Sequence, residues 1–143
     1  MIEIKEILKN IPRRTSVLQE NGNMVKNSED EFSTTQHFGL FNDDLIGIIS
    51  LFENKNPMFQ DPVQIQLRGL DILDKYEGLR LSEKLIKNCE KNLKSKKDNL
   101  VIWFNARKTA VPSYEKLGYR TIGDIFNIKE TGEHCIMFKK LSV

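Results

Sequence analysis

The chain has 143 residues, of which 39% are hydrophobic and 29% charged, and its formal net charge is +2. That length suits one domain, read here as residues 1–143, able to bury a core without disulfide or metal support. The near-neutral balance gives no reason to expect nucleic acid or an anionic membrane as a partner, and no stretch approaches the ~18 apolar residues of a membrane span.

The N-terminal MIEIKEILKNIPRR alternates charged and apolar residues without a cleavage signal, so a cytoplasmic protein is expected. Residues 2–9 read as a short strand running into a helix through Arg14, Val17 and Leu18, interrupted or restarted at Pro12. Residues 20–31 are polar and read as a loop. His37–Phe41 and Leu45–Phe52 are β-type runs around the turn Asn42-Asp43-Asp44, which makes a hairpin. An irregular connection with Pro57 and Pro62 follows. From Val63 to Leu73 the alternation of Gln64, Gln66 and Arg68 with Val63, Ile65 and Leu67 predicts a long strand.

Leu81, Leu85, Ile86, Cys89 and Leu93 form one stripe of a helix over about Leu79–Leu93. Its lysine-rich end (Lys91, Lys94, Lys96, Lys97) reads as a solvated helix terminus. Leu100–Phe104 is a continuous apolar strand suited to a sheet interior. A second helix is expected over about Lys108–Leu117, closed by Gly118 as its C′ residue. Strands Tyr119–Ile128 and His134–Leu141 end the chain around the turn Glu130-Thr131-Gly132. Cys89 and Cys135 have no metal-ligand or redox spacing and are expected as reduced thiols, with no metal site. The order of elements predicts an α+β fold with a mixed, mostly antiparallel sheet flanked by helices.

The segment Asn105-Ala106-Arg107-Lys108-Thr109-Ala110-Val111-Pro112-Ser113-Tyr114-Glu115-Lys116-Leu117-Gly118-Tyr119 resembles the strand-to-helix passage of the GNAT N-acetyltransferases. Gln66–Ile72 is similar to that family's central strand, and Tyr76–Ser82 stands where its acyl-CoA pyrophosphate loop belongs. The early Arg14-Thr15-Ser16-Val17-Leu18, the His37–Phe41 strand and the closing Gly132–Leu141 run resemble one bacterial branch.

The resemblance implies acetyl-CoA as co-substrate and an amine, on a small molecule or a protein, as acceptor. Acyl transfer needs a polyanion held, a pantetheine arm aligned and a thiolate protonated on leaving. The family pattern assigns the diphosphate to Gly78, Leu79, Arg80, Leu81 and Ser82, the pantetheine to Leu70, Asp71 and Ile72, a coenzyme-side hydrogen bond to Asn105 and the general acid to Tyr114. Arg14, His37 and His134 are the acceptor-side candidates; Glu31, Asp71, His37 and His134 are those for the base, with a water chain as an equal alternative. The loop departs from the Gln/Arg-x-x-Gly-x-Gly/Ala pattern, with Glu77 first, Arg80 at the middle glycine and Ser82 at the last small residue. Two rival readings follow: a fold relative that binds ligand without catalysis, and an interaction module that uses open sheet edges to form a homodimer.

Overall fold

The alternating and continuous apolar runs fold as strands. The computed structural model describes residues 2–7, 36–76, 80–96 and 99–141. Arg14, the expected helix through Val17 and Leu18, the 20–31 loop with Glu31, and Glu77, Gly78 and Leu79 lie outside the described residues. The strands are β1 (Glu3–Ile7), β2 (Gln36–Asn42), β3 (Asp44–Glu53), β4 (Gln64–Ile72), β5 (Leu100–Arg107), β6 (Arg120–Ile128) and β7 (Gly132–Leu141). The α-helices are α1 (Leu81–Lys96) and α2 (Val111–Glu115), with 3-10 turns at Asp74–Tyr76 and Lys108–Ala110. This is the expected α+β architecture: β1/β2, β2/β3, β5/β7 and β6/β7 pair antiparallel, and β4/β5 pair parallel.

The chain forms two compact units, Met1–Phe52 with Leu67–Lys96, and Glu53–Gln66 with Lys97–Val143. In the first, the strand order is β1-β2-β3-β4. Nearly every residue of β3 is buried, as expected of an interior strand covered on both faces. Helix α1 contacts β2 and buries Leu81, Leu85, Ile86, Cys89 and Leu93, the stripe read from the sequence. Each large apolar side chain in that stripe contributes about 1.5–3 kcal/mol by leaving water. A smaller cluster joins Leu45 and Ile48 to Ile7 and Phe41.

The second unit orders β4-β5-β7-β6, with the parallel ladder confined to Gln64–Gln66 against Val101–Trp103. Alternation along β5 divides its side chains between two faces. Val101 and Trp103 pack with Phe59, Ile122, Ile136 and Phe138 on one face. Phe104 lies on the other, its ring 4.7 Å from Tyr114 and 5.1 Å from Tyr119.

Three features of the structure extend or correct the sequence reading. First, Gln64 and Gln66 of β4 are buried, because the 54–63 connection folds over them. The Gln64 side chain accepts from the Asn56 N–H at 2.6 Å and donates to the carbonyls of Phe59 and Asp61 at 3.1 and 3.0 Å. Asn54 donates to Gln66 at 2.8 Å, and the Trp103 indole donates to the Asn54 carbonyl at 2.9 Å. Second, β4 is not regular: Gly69 has φ 64°, a left-handed value inside a strand, as at a bulge. Third, the helix expected from Lys108 is split into a 3-10 turn and the five-residue α2. Pro112 has no N–H, and its ring would collide with the carbonyl four residues back, so the α-helix can start only just before it.

Candidate active site

The first unit carries the residues expected on the coenzyme side. Leu70 and Asp71 are half-buried and Ile72 is buried. β4 ends as the Leu73 N–H donates to the Ile46 carbonyl at 2.9 Å, and a 3-10 turn closes with Tyr76 N–H to Leu73 at 2.8 Å. The chain re-enters the described residues at Arg80, whose carbonyl accepts the Lys84 N–H at 3.2 Å and so caps α1. Arg80 is exposed and has φ 59°. A left-handed backbone costs a non-glycine residue about 1–2 kcal/mol. The arginine therefore takes the conformation that glycine adopts freely, at the position where the family pattern has its middle glycine.

Beyond Arg80 the first N–H groups of α1 have no acceptor within the helix, and the helix dipole makes this end positive. Leu81 anchors the turn by burial, while Ser82 is half-buried. The Glu83 carboxyl is lowered from its usual value chiefly by a hydrogen bond from Lys87 at 2.9 Å; desolvation opposes this, and the charges of Lys87 and Arg80 add smaller lowering effects.

The second unit carries Asn105, Tyr114 and His134. Tyr114 stands on α2, its ring edge-on to Phe104. Its carbonyl accepts from both Leu117 N–H (3.0 Å) and Tyr119 N–H (3.2 Å), so the residue is fixed at the helix end. Gly118 at φ 97° turns the chain out of α2 as expected, and Lys139 donates to the Leu117 carbonyl at 2.9 Å. Burial pushes the Tyr114 phenol above its ordinary range, and the Arg107 charge opposes that shift. A phenol so placed keeps its proton and is a donor at neutral pH.

Asn105 is exposed and pairs with Ile136 across β5/β7. It therefore shares the Trp103 face, while Tyr114 packs on the Phe104 face, so these two side chains are not gathered on one face of β5. His134, opposite Arg107 in register, is buried and stacked on Phe126 at 6.2 Å. Its Nδ1 lies 2.8 Å from the Gly132 carbonyl, which can only accept, so Nδ1 carries a proton. In the first unit His37 is 0% exposed, with Nδ1 2.6 Å from the Ser50 hydroxyl of its register partner.

Sequence reasoning passed over two arginines. Arg107 acts electrostatically on Tyr114, and its signal was its place two residues after Asn105 in the most specific segment. Arg68, next to the Gly69 kink, lies 5.4 Å over the Phe52 ring; its signal was a charged side chain within the β4 alternation.

The profile of the acetyltransferase (GNAT) domain matches residues 16–137. The chain belongs to the GNAT acetyltransferase family. Within it, this GNAT domain is 32% identical over 117 residues to the uncharacterized N-acetyltransferase YitI of Bacillus subtilis (strain 168), covering 81% of this chain and 78% of that protein. Its fold is similar to that of the ribosomal-protein-S18-alanine N-acetyltransferase from Escherichia coli (TM-score 0.78, 15% identity, 100% of this chain and 96% of that one). It is also similar to a GNAT family acetyltransferase from Elizabethkingia anophelis with acetyl-CoA bound (TM-score 0.69, 18% identity, 98% of both chains). Family membership supports an acetyltransferase function for this GNAT domain, and among the described residues no helix is long and apolar enough to cross a membrane.

Proposed function

We propose that this GNAT domain is an acetyl-CoA-dependent N-acetyltransferase that acts on an amine by direct transfer. The observation that carries the proposal is the start of α1, where Arg80 keeps a glycine-like backbone at the family's glycine position. An arginine there bears two costs, a strained φ and a cation at the positive end of a helix. A bound diphosphate offsets both, because it accepts from the N–H groups that have no partner within the helix and pairs with the guanidinium.

The start of α1 and the family pattern support such a ligand. Gly78 to Ser82 would hold the diphosphate, and the backbone of Leu70, Asp71 and Ile72, beyond the three residues of β4 that pair with β5, would align the pantetheine. Asn105 is proposed as a hydrogen-bond partner of the coenzyme. Acetyl-CoA supplies an activated acyl group on a thiol leaving group. Tyr114 donates its phenolic proton to the departing sulfur as the amine nitrogen takes the acyl carbon, and the amine's own proton passes to a base or to water. Arg14 and His134 are proposed on the acceptor side. His37, enclosed and bonded to Ser50, serves there by holding β2 to β3.

The E. coli structural relative acts on the alanine of a ribosomal protein, which favours a protein amine among the acceptors to be tried. Calorimetric titration with acetyl-CoA, paired with thiol-release assays over a panel of small amines and peptide N-termini, tests the proposal. Saturable binding with amine-dependent release is expected. Binding without release for any amine would make the chain a non-catalytic relative, and absence of binding would refute the proposal.

A further inference from the structure

Charge is distributed unevenly along this chain. Between Arg80 and Lys97 stand seven basic and two acidic residues, although the whole chain carries only +2. The other 125 residues hold fifteen basic and eighteen acidic side chains and are net acidic. Helix α1 concentrates the excess. Lys84, Lys87, Lys91 and Lys94 follow one another at three- or four-residue spacing, which aligns them on one face, and all four are exposed. The buried stripe of Leu81, Leu85, Ile86, Cys89 and Leu93 occupies the other side. Like charges at this spacing repel and weaken the helix. Of the two carboxylates on α1, Glu83 is drawn to Lys87 at 2.9 Å, so the face keeps a net positive charge.

We propose that this lysine face steers the polyanionic coenzyme toward the amino end of α1, speeding association without touching the bound molecule. The inference rests on the reading of that helix end as the diphosphate site. At 1.5 Å per residue, Lys91 and Lys94 lie about 15 and 20 Å along the axis from Leu81, too far for a hydrogen bond to the diphosphate. That distance is within the reach of their field at low salt, where the screening length is about 30 Å at 0.01 M, and outside it at 1 M, where it is about 3 Å. A localised field of one sign raises association rates by roughly 10–10³-fold, so two of its charges account for ~3–10-fold.

The test is stopped-flow association of a fluorescent etheno-adenine form of coenzyme A with wild type, Lys91→Gln/Lys94→Gln and the control Lys55→Gln/Lys129→Gln. The control removes the same charge from exposed positions off the helix. At 0.01 M salt the helix variant is expected to associate ~3–10-fold more slowly, with dissociation unchanged and the difference gone at 1 M. An equal drop in the control would reduce the effect to net charge and overturn the proposal. So would an unchanged association rate, or a faster dissociation, which would mean direct contact. Salt-sensitive binding of single-stranded RNA, lost in the helix variant while coenzyme association stays intact, would assign the face to nucleic acid instead. If wild type fails to bind the coenzyme at any salt, the diphosphate reading itself falls.

Discussion

Replacing Arg80 by glycine should stabilise the protein and weaken its hold on acetyl-CoA at the same time. The stability side follows from the left-handed φ of 59° and the exposed side chain. Glycine relieves about 1–2 kcal/mol of backbone strain, and losing a cation from the helix start adds about 0.3–1 kcal/mol. The greater freedom of glycine in the unfolded chain takes back about 0.5–1 kcal/mol. The net is about 1 kcal/mol, or roughly 3–4 °C in Tm for a domain of this size. On the binding side, a hydrogen bond to a charged group is worth about 1.5–3 kcal/mol, so the affinity should fall by roughly 10- to 150-fold. Denaturant unfolding and calorimetry on the same preparations read both quantities. A lower unfolding midpoint would mean that the attraction of Arg80 for Glu83 outweighs the backbone strain and the helix-end penalty, and would refute this reasoning. Unchanged or tighter binding would refute its pairing with phosphate.

Two further substitutions test other parts of the account. Ser82→Asp puts a carboxylate at the first turn of α1, where it suits the helix dipole but repels a diphosphate. Acetyl-CoA binding should be lost while Tm holds or rises, and retained affinity in calorimetry would move the site elsewhere. Ser50→Ala removes the hydroxyl 2.6 Å from His37 Nδ1 and should cost about 1–3 kcal/mol in unfolding free energy. Turnover per folded molecule should remain, and a selective loss of kcat would instead give His37 a part in the chemistry.

The strands were legible in the sequence because each apolar pattern is local. Leu45–Phe52 and Leu100–Phe104 are read correctly for that reason, and so is the Leu81–Leu93 stripe. Gly118 was legible because a helix ending there needs a left-handed residue. What escaped depends on partners distant in sequence or on backbone angles. The burial of Gln64 and Gln66 is created by a connection that folds back over them and by Trp103, 49 residues from the Asn54 carbonyl that its indole reaches. The split before α2 could have been read from Pro112, but the helix was read from its closing Gly118 back to Lys108 as one piece. Asn105 and Tyr114 were joined by their spacing alone, whereas the strand's alternation separates their faces. Arg80 looked like a mere exception to a motif until its φ showed that the glycine conformation persists without the glycine.

Side-by-side turnover of wild type and Tyr114→Phe, across pH and at saturating acetyl-CoA, tests the central claim most directly. The substitution keeps the ring on Phe104 and removes only the donor, so stability and coenzyme affinity should hardly change. Losing a positioned acid should lower kcat by ~10²-fold or more. Burial raises the phenol's pKa from its ordinary value of about 10. The wild-type activity that depends on this proton should therefore persist up to about pH 10 and decline only above it. By the same linkage, the stability gained by burying the neutral phenol is complete below about pH 10 and lost as pH rises through the raised value. The account predicts a folded, coenzyme-binding Tyr114→Phe protein whose kcat is at least a hundredfold lower; equal kcat for the two proteins at every pH would contradict it.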